Sequence, residues 1–194
     1  MKYDVILAGV GGQGVLSVAS IIAHAALSEG LAVRQSEVHG MAQRGGAVLA
    51  HLRIADGKIS GDLVPRGGAD LIISMEPLES LRYVSWLQKS GAVVTASQPL
   101  VNIGNYPAIE EITSIIKKLP VWRLVEADAL AKEAGLARAV NTVMVGASSF
   151  FLPVKSKSLE ETIAEVFSKK EPNVIAANAK AYLLGQAAVR AEKK

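Results

Sequence analysis

The feature that most constrains this chain is a glycine turn set directly behind a short apolar run: Gly9-Val10-Gly11-Gly12-Gln13-Gly14. Residues 4–10 are rich in Val, Ile and Leu and stop at glycines, the pattern of a strand buried on both faces of a sheet. Residues 13–29 follow with apolar side chains nearly all round a helical wheel, and Gly30 stands where a C-terminal cap belongs. Residues 31–38 supply the next strand, so the chain opens as β-loop-α-β. Such a turn leaves backbone N–H groups free at a helix N-terminus, where the helix dipole favours a phosphate or another anion. The same glycines also suit a chain that needs only a tight turn and close strand–helix packing.

Beyond residue 38 the pattern leaves a purely parallel layout. Residues 47–54 alternate in strand fashion, Asp56-Gly57 is a tight-turn signal, and residues 58–64 read as the returning arm of a hairpin. No crossover helix fits there. Residues 70–75 form another buried strand, and Pro77 opens a helix with Leu78, Leu81, Val84 and Leu87 along one side before Gly91. Val93 and Val94 begin a strand, residues 98–107 are an irregular connection, residues 109–118 a short helix and residues 121–125 a strand. Four helices follow, at 127–134, 142–151, 159–169 and 174–190. The fold class expected is α/β: a single three-layer domain over 1–194 with a mixed central sheet, a Rossmann-like start, an antiparallel hairpin excursion and a helical C-terminal part.

Composition narrows the function classes. Hydrophobic residues make up 50% of the chain and charged residues 20%, more apolar than an ordinary soluble domain, which suggests surface meant for a partner. The net charge of +3 is scattered, with no dense basic run to follow a nucleic-acid backbone. No cysteine is present, so the chain supplies no thiolate to an iron–sulfur cluster or zinc site and forms no disulfide. The longest apolar stretch, residues 15–27, is interrupted by Ser17, Ser20 and His24 and falls short of the ~20 residues that cross a bilayer. The first apolar run ends in glycines instead of a signal-peptide boundary, so a cytoplasmic location is expected. His24 and His51 have no neighbouring ligand pattern and read as hydrogen-bonded structural residues, so no metal site is assigned.

Two nucleotide readings compete at the glycine turn. Val15 and Leu16 stand where a P-loop needs Lys and Ser/Thr, which excludes an NTPase of that type. Glu37 falls where the ribose-binding acid of a dinucleotide fold belongs, but the hairpin expected after it leaves no helical crossover to a third parallel strand. The stretch Ser36-Glu37-Val38-His39-Gly40-Met41-Ala42-Gln43-Arg44-Gly45-Gly46 combines backbone freedom with a cation, an imidazole and several hydrogen-bonding groups. It leaves the sheet near the same end as the first turn, so Arg44 could pair with an anion held by residues 11–14. A solvated arginine and a hydrogen-bonded loop histidine are the plainer alternative.

Together the two loops resemble the gamma domain of the thiamine-dependent 2-oxoacid:ferredoxin oxidoreductases. Pyruvate-type members usually carry Tyr-Gly-Pro-Glu before Arg-Gly-Gly. Here His39-Gly40-Met41-Ala42-Gln43 precedes Arg44-Gly45-Gly46, a form similar to the indolepyruvate type. The likeness continues through Pro65-Arg66-Gly67-Gly68-Ala69-Asp70, Glu76-Pro77-Leu78-Glu79 and residues 141–146, and is thin over 98–119. It implies a subunit of an enzyme that joins a 2-oxoacid, coenzyme A and oxidised ferredoxin to give acyl-CoA, carbon dioxide and reduced ferredoxin. Thiamine diphosphate, magnesium and 4Fe-4S clusters would then sit in a larger partner subunit, because Gly61-Asp62-Leu63 is not a Gly-Asp-Gly magnesium motif. Ferredoxin would be an indirect partner. The residues that the resemblance assigns to binding coenzyme A or partner groups are Gly9, Gly11, Gly12, Gln13, Gly14, Ser36, His39, Gly40, Gln43, Arg44, Gly45, Gly46 and Asn141; none is assigned a catalytic role. Asn141 reads equally as a helix N-cap, and Glu76 and Glu79 as favourable charges near a helix start. A structural subunit without ligand contact is the competing expectation, and self-association of the isolated chain into a homodimer is left open.

Overall fold

The structure, a computed structural model, describes residues 1–39 and 45–190, with His39 described in its backbone alone. Strand β1 (Lys2–Val10) is buried over residues 4–10, with Val5 and Leu7 facing one side of the sheet and Ile6 the other. The glycine turn then delivers the chain into α1 (Val15–Ser28), which runs back to β2 (Ala32–His39). Strand β3 (Ala47–Ala55) inserts antiparallel between β1 and β2, with Val10 opposite Ala47 and Ser36 opposite His51. Strands β4 (Ala69–Ser74), β5 (Leu87–Ala96) and β6 (Trp122–Val125) extend the other side in parallel, giving the order β2-β3-β1-β4-β5-β6. The sheet is mixed, as expected, and its β3 intruder separates Glu37 from β1 by two strand spacings, about 10 Å. A dinucleotide-binding half, in which the second strand lies beside the first, is not formed.

Two readings of the sequence are corrected. The hairpin partner of β3 is β2, through residues 40–46, and the segment 58–64 is not a strand. Both edges of β3 are already taken by β1 and β2, so a returning arm finds no free ladder. That segment is instead tied down by Arg53, whose guanidinium donates to the carbonyls of Gly61 (3.1 Å) and Leu63 (3.2 Å) while holding the fully buried Asp4 carboxylate in a two-pronged pair. The helix after Pro77 is also shorter than its apolar spacing suggests. It spans α2 (Pro77–Arg82), passes through a single 3-10 turn (Val84–Trp86) and becomes strand at Leu87. Trp86 and Leu87 are drawn onto the second face of the sheet with Tyr83 and Leu119, against Ile6, Ile72 and Val93. At Gly91, within the register shift between the Ala69–Leu87 and Leu71–Ala92 pairs, the chain passes close enough to β4 that a Cβ would sit 2.9 Å from the Ala69 carbonyl oxygen.

The layers are unequal. The larger core lies between α1, α4 (Ala127–Glu133), α5 (Val140–Ser148), α6 (Ser156–Phe167) and α7 (Pro172–Arg190) and the face of the sheet bearing Val5, Leu7, Leu52, Leu71 and Val94. The thinner second face carries α2 and α3 (Ile109–Ile116). Helices α5 and α7 meet backbone to backbone: a Cβ built on Gly146 would lie 2.1 Å from the Tyr182 carbonyl oxygen, and one on Gly185 2.1 Å from that of Val143. Buried bonds flank the crossing, from Thr142 Oγ1 to Asn178 Oδ1 (2.7 Å) and from Gln186 Nε2 to Ser149 Oγ (3.0 Å), and Gln186 Nε2 also donates to the exposed Ser156 Oγ at the start of α6 (2.9 Å). Among the described residues no helix is long and apolar enough to cross a membrane.

Both histidines with described side chains are hydrogen-bonded. His24 lies on the exposed side of α1 and pairs with the Ser20 carbonyl at 2.8 Å. His51 is 5% exposed and its Nδ1 accepts the Val64 N–H at 3.2 Å. Burial, and after it the charge of Arg53, hold its imidazole below the ordinary value of 6.5. The unfolded chain then binds more protons than the folded one as pH drops through that value, so stability is lost on acidification and is unaffected above it. Denaturant midpoints measured between pH 7 and about 5.5 are expected to fall, with a shallower slope in His51→Gln; an equal slope in the variant would rule His51 out as the source.

Candidate functional site

The loops that follow the parallel strands collect at one edge of the sheet, and residues 9–14, 45–46, 75–76 and 97–107 meet there. Gly11 N–H donates to the Gly46 carbonyl at 2.7 Å, and Gly45 N–H returns to the Gly11 carbonyl at 3.3 Å. Two turns far apart in sequence thus face each other as a short ladder. Gly12 (φ 101°) and Gly14 (φ 76°) adopt left-handed backbone that side chains disfavour. Gly9 needs its missing side chain for space, since a Cβ there would meet Val15 Cγ2 at 2.7 Å.

Gln13 turns inward. Its Oε1 accepts the Val10 N–H (2.8 Å) and its Nε2 donates to the Met75 carbonyl (3.1 Å), fastening the first turn to the end of β4. With the Gly11 N–H given to Gly46 and the Gln13 N–H to the Val10 carbonyl, the donors left are the amides of Gly12, Gly14, Val15 and Leu16, which have no partner among the described residues. They cluster at the start of α1, a helix with no side-chain cap and no acid in its first turn. That arrangement suits an anionic oxygen.

Asn141 joins this site in a way the sequence did not reveal. Helix α5 starts at Val140 behind Ala139, so Asn141 is not its N-cap; its Nδ2 donates to the Gly14 carbonyl at 3.3 Å. Ser36 sits on β2 opposite His51, three residues before the strand ends at His39. Gly40, Gln43 and Arg44 lie outside the described residues, as does the His39 side chain. Among the described residues no group of His, Asp and Glu could hold a metal ion.

Residues outside the sequence-based set also reach this edge. Glu76 is 1% exposed and its carboxylate accepts three bonds: from Glu79 N–H (2.8 Å), capping α2, from Leu100 N–H (3.3 Å), and from the Tyr106 hydroxyl. Burial, then the bond and charge of Glu76, push the Tyr106 hydroxyl far above its ordinary value, so it stays a donor. Glu79 is buried too and pairs with Arg82 at 2.8 Å; burial raises its pKa despite that pair. Asn102 Nδ2 donates to the Gly45 carbonyl at 2.8 Å. The Pro, Asn and Gly content of 98–107 marked a loop, but no local signal marked its partners.

The mixed sheet carries its two glycine turns, 9–14 and 45–46, at one end; the chain belongs to the pyruvate ferredoxin/flavodoxin oxidoreductase family, whose sequence pattern it matches over residues 4–188. It is 37% identical to the indolepyruvate oxidoreductase subunit IorB of Pyrococcus horikoshii, over 97% of this chain and 96% of that one. Its fold is shared by the keto/oxoacid ferredoxin oxidoreductase gamma subunit of Geobacter sulfurreducens, at a TM-score of 0.70 and 23% identity, covering 97% of this chain and 99% of that one. It also superposes on the 2-oxoglutarate:ferredoxin oxidoreductase of Magnetococcus marinus, solved with 2-oxoglutarate, coenzyme A and succinyl-CoA bound, at a TM-score of 0.77 and 22% identity. All of this chain aligns there but only 32% of the larger one, so it corresponds to about a third of that protein.

Proposed function

We propose that the chain is the small subunit of an indolepyruvate-type 2-oxoacid:ferredoxin oxidoreductase, active when docked on a larger subunit that holds thiamine diphosphate, magnesium and the 4Fe-4S clusters. Its part is to bind and position coenzyme A for the acyl transfer that ends oxidative decarboxylation. The observation that carries this reading is the pairing of the two glycine turns, next to the amides of Gly12, Gly14, Val15 and Leu16 that have no partner among the described residues; Arg44 is the residue just before Gly45 in the chain. A diphosphate matches both the donors and the cation. Thiamine diphosphate and the clusters supply the carbon–carbon cleavage and electron transfer when bound in the partner. This chain has no cysteine to ligate a cluster.

In the assembled enzyme Arg44→Ala removes one charge-assisted contact, so the KM for coenzyme A is expected to rise about tenfold with the KM for the 2-oxoacid unchanged. Unchanged coenzyme A kinetics would defeat the assignment. They would instead favour a structural subunit whose exposed Val38 (57%), Leu100 (41%) and Val101 (68%) at this edge are covered by the partner.

A further inference from the structure

The segment 97–107 joins β5 to α3 with Leu100 and Val101 exposed and Ile103 only partly buried, so apolar side chains do little to hold it in place. Polar ties do so instead. At its start Ser97 N–H donates to the Val125 carbonyl (2.9 Å) and Ser97 Oγ to Glu126 (2.8 Å). In its middle Leu100 N–H and the Tyr106 hydroxyl both close on the buried Glu76 carboxylate. Pro99, between those ties, and Pro107, just after the last, limit the backbone. The tip then reaches across the edge of the sheet, where Asn102 donates to Gly45, the residue whose own N–H bonds Gly11. A carboxylate is costly to bury, and this one is spent on fixing a loop that buries little itself.

We propose that segment 97–107, anchored on Glu76, is a clamp that sets the second glycine turn against the first, with Asn102 and Tyr106 as its positioning residues. Asn102 fixes the Gly45 carbonyl, which orients the Gly45–Gly46 peptide and so the acceptor of the Gly11 N–H. Tyr106 fixes the height of the segment above Glu76. The clamp determines the geometry of the amide cluster without touching what binds there, and only the identity of that ligand rests on the coenzyme A reading.

Amide hydrogen exchange on the full chain tests the clamp without any ligand. In Asn102→Ala and in Tyr106→Phe the Gly11 amide is expected to exchange about tenfold faster, while Leu7 in β1 and Val94 in β5 keep their protection. Unchanged exchange at Gly11, or acceleration through the whole sheet as from a merely structural loss, overturns the proposal. In the assembled enzyme both variants should raise the KM for coenzyme A roughly fivefold and leave kcat at saturation within about twofold. If Arg44→Ala raises that KM and the clamp variants do not, the clamp is wrong and the coenzyme A reading stands. Faster exchange at Gly11, with no variant moving the KM, including Arg44→Ala, keeps the clamp and removes coenzyme A as its beneficiary.

Discussion

Replacing Gly146 by alanine is expected to cost about 3 kcal/mol of folding stability or more, for a single added methyl group. The reason lies at the α5–α7 crossing, where the new Cβ would lie 2.1 Å from the Tyr182 carbonyl oxygen, far inside contact distance, and where the obstacle is backbone instead of a side chain that could turn away. The helices must separate, and doing so stretches the Thr142–Asn178 bond and the Gln186 bond to Ser149, both buried. Alanine has the better helix propensity, by about 1 kcal/mol, which offsets only part of the loss. In a chain of 194 residues the net change corresponds to a fall of about 10 °C in the thermal midpoint. Gly185→Ala should behave alike, because it meets the Val143 carbonyl at the same 2.1 Å. A midpoint within about 2 °C of the parent in both variants would mean that the helices do not cross this closely.

Local pattern served the sequence reading wherever an element's environment is the same along its length. Strand β1 is buried on both faces, so its uninterrupted apolar run announced it, and α1 followed from the turn that its glycines compel. Pairing is not local. The alternation in residues 47–54 identified β3 as a strand but could not say that β1 and β2 would take both its edges, and the Asp56-Gly57 signal then pointed to a returning arm that has nowhere to pair. After Pro77 the three-residue spacing of Leu78, Leu81, Val84 and Leu87 imitated one face of a longer helix, whereas the side chains α2 buries are Pro77, Glu79 and Ser80. Trp86 and Leu87, past the end of α2, pack against Ile6, Ile72 and Val93 on the second face of the sheet.

The candidate site was legible in outline for a similar reason. Its two glycine turns lie at strand ends that chain order alone brings to one edge of the sheet. Their mutual bonds, and the inward turn of the Gln13 side chain, came only from the structure. Asn141 looked like a helix cap because its true partner, Gly14, is 127 residues away. Glu76 was read as a favourable charge at a helix start, and it does cap α2, but its bonds to Leu100 and Tyr106 span 24 and 30 residues and leave no periodic trace.

The second large effect concerns turnover itself. Electron-yielding cleavage of a 2-oxoacid needs a group to accept the carbanion and a chain of clusters to remove electrons. A polypeptide with no cysteine offers amides, one arginine-bearing loop and an exposed apolar edge. In the proposed function this chain takes part in catalysis through assembly alone. The most direct measurement is 2-oxoacid- and coenzyme A-dependent reduction of ferredoxin by the chain alone, by its large subunit alone, and by the two mixed, with indolepyruvate among the acids supplied. The account expects no rate from the chain alone, little from the large subunit, and full turnover that saturates at one copy of each. Ferredoxin reduction by the isolated chain, or a large subunit equally active without it, would contradict the account.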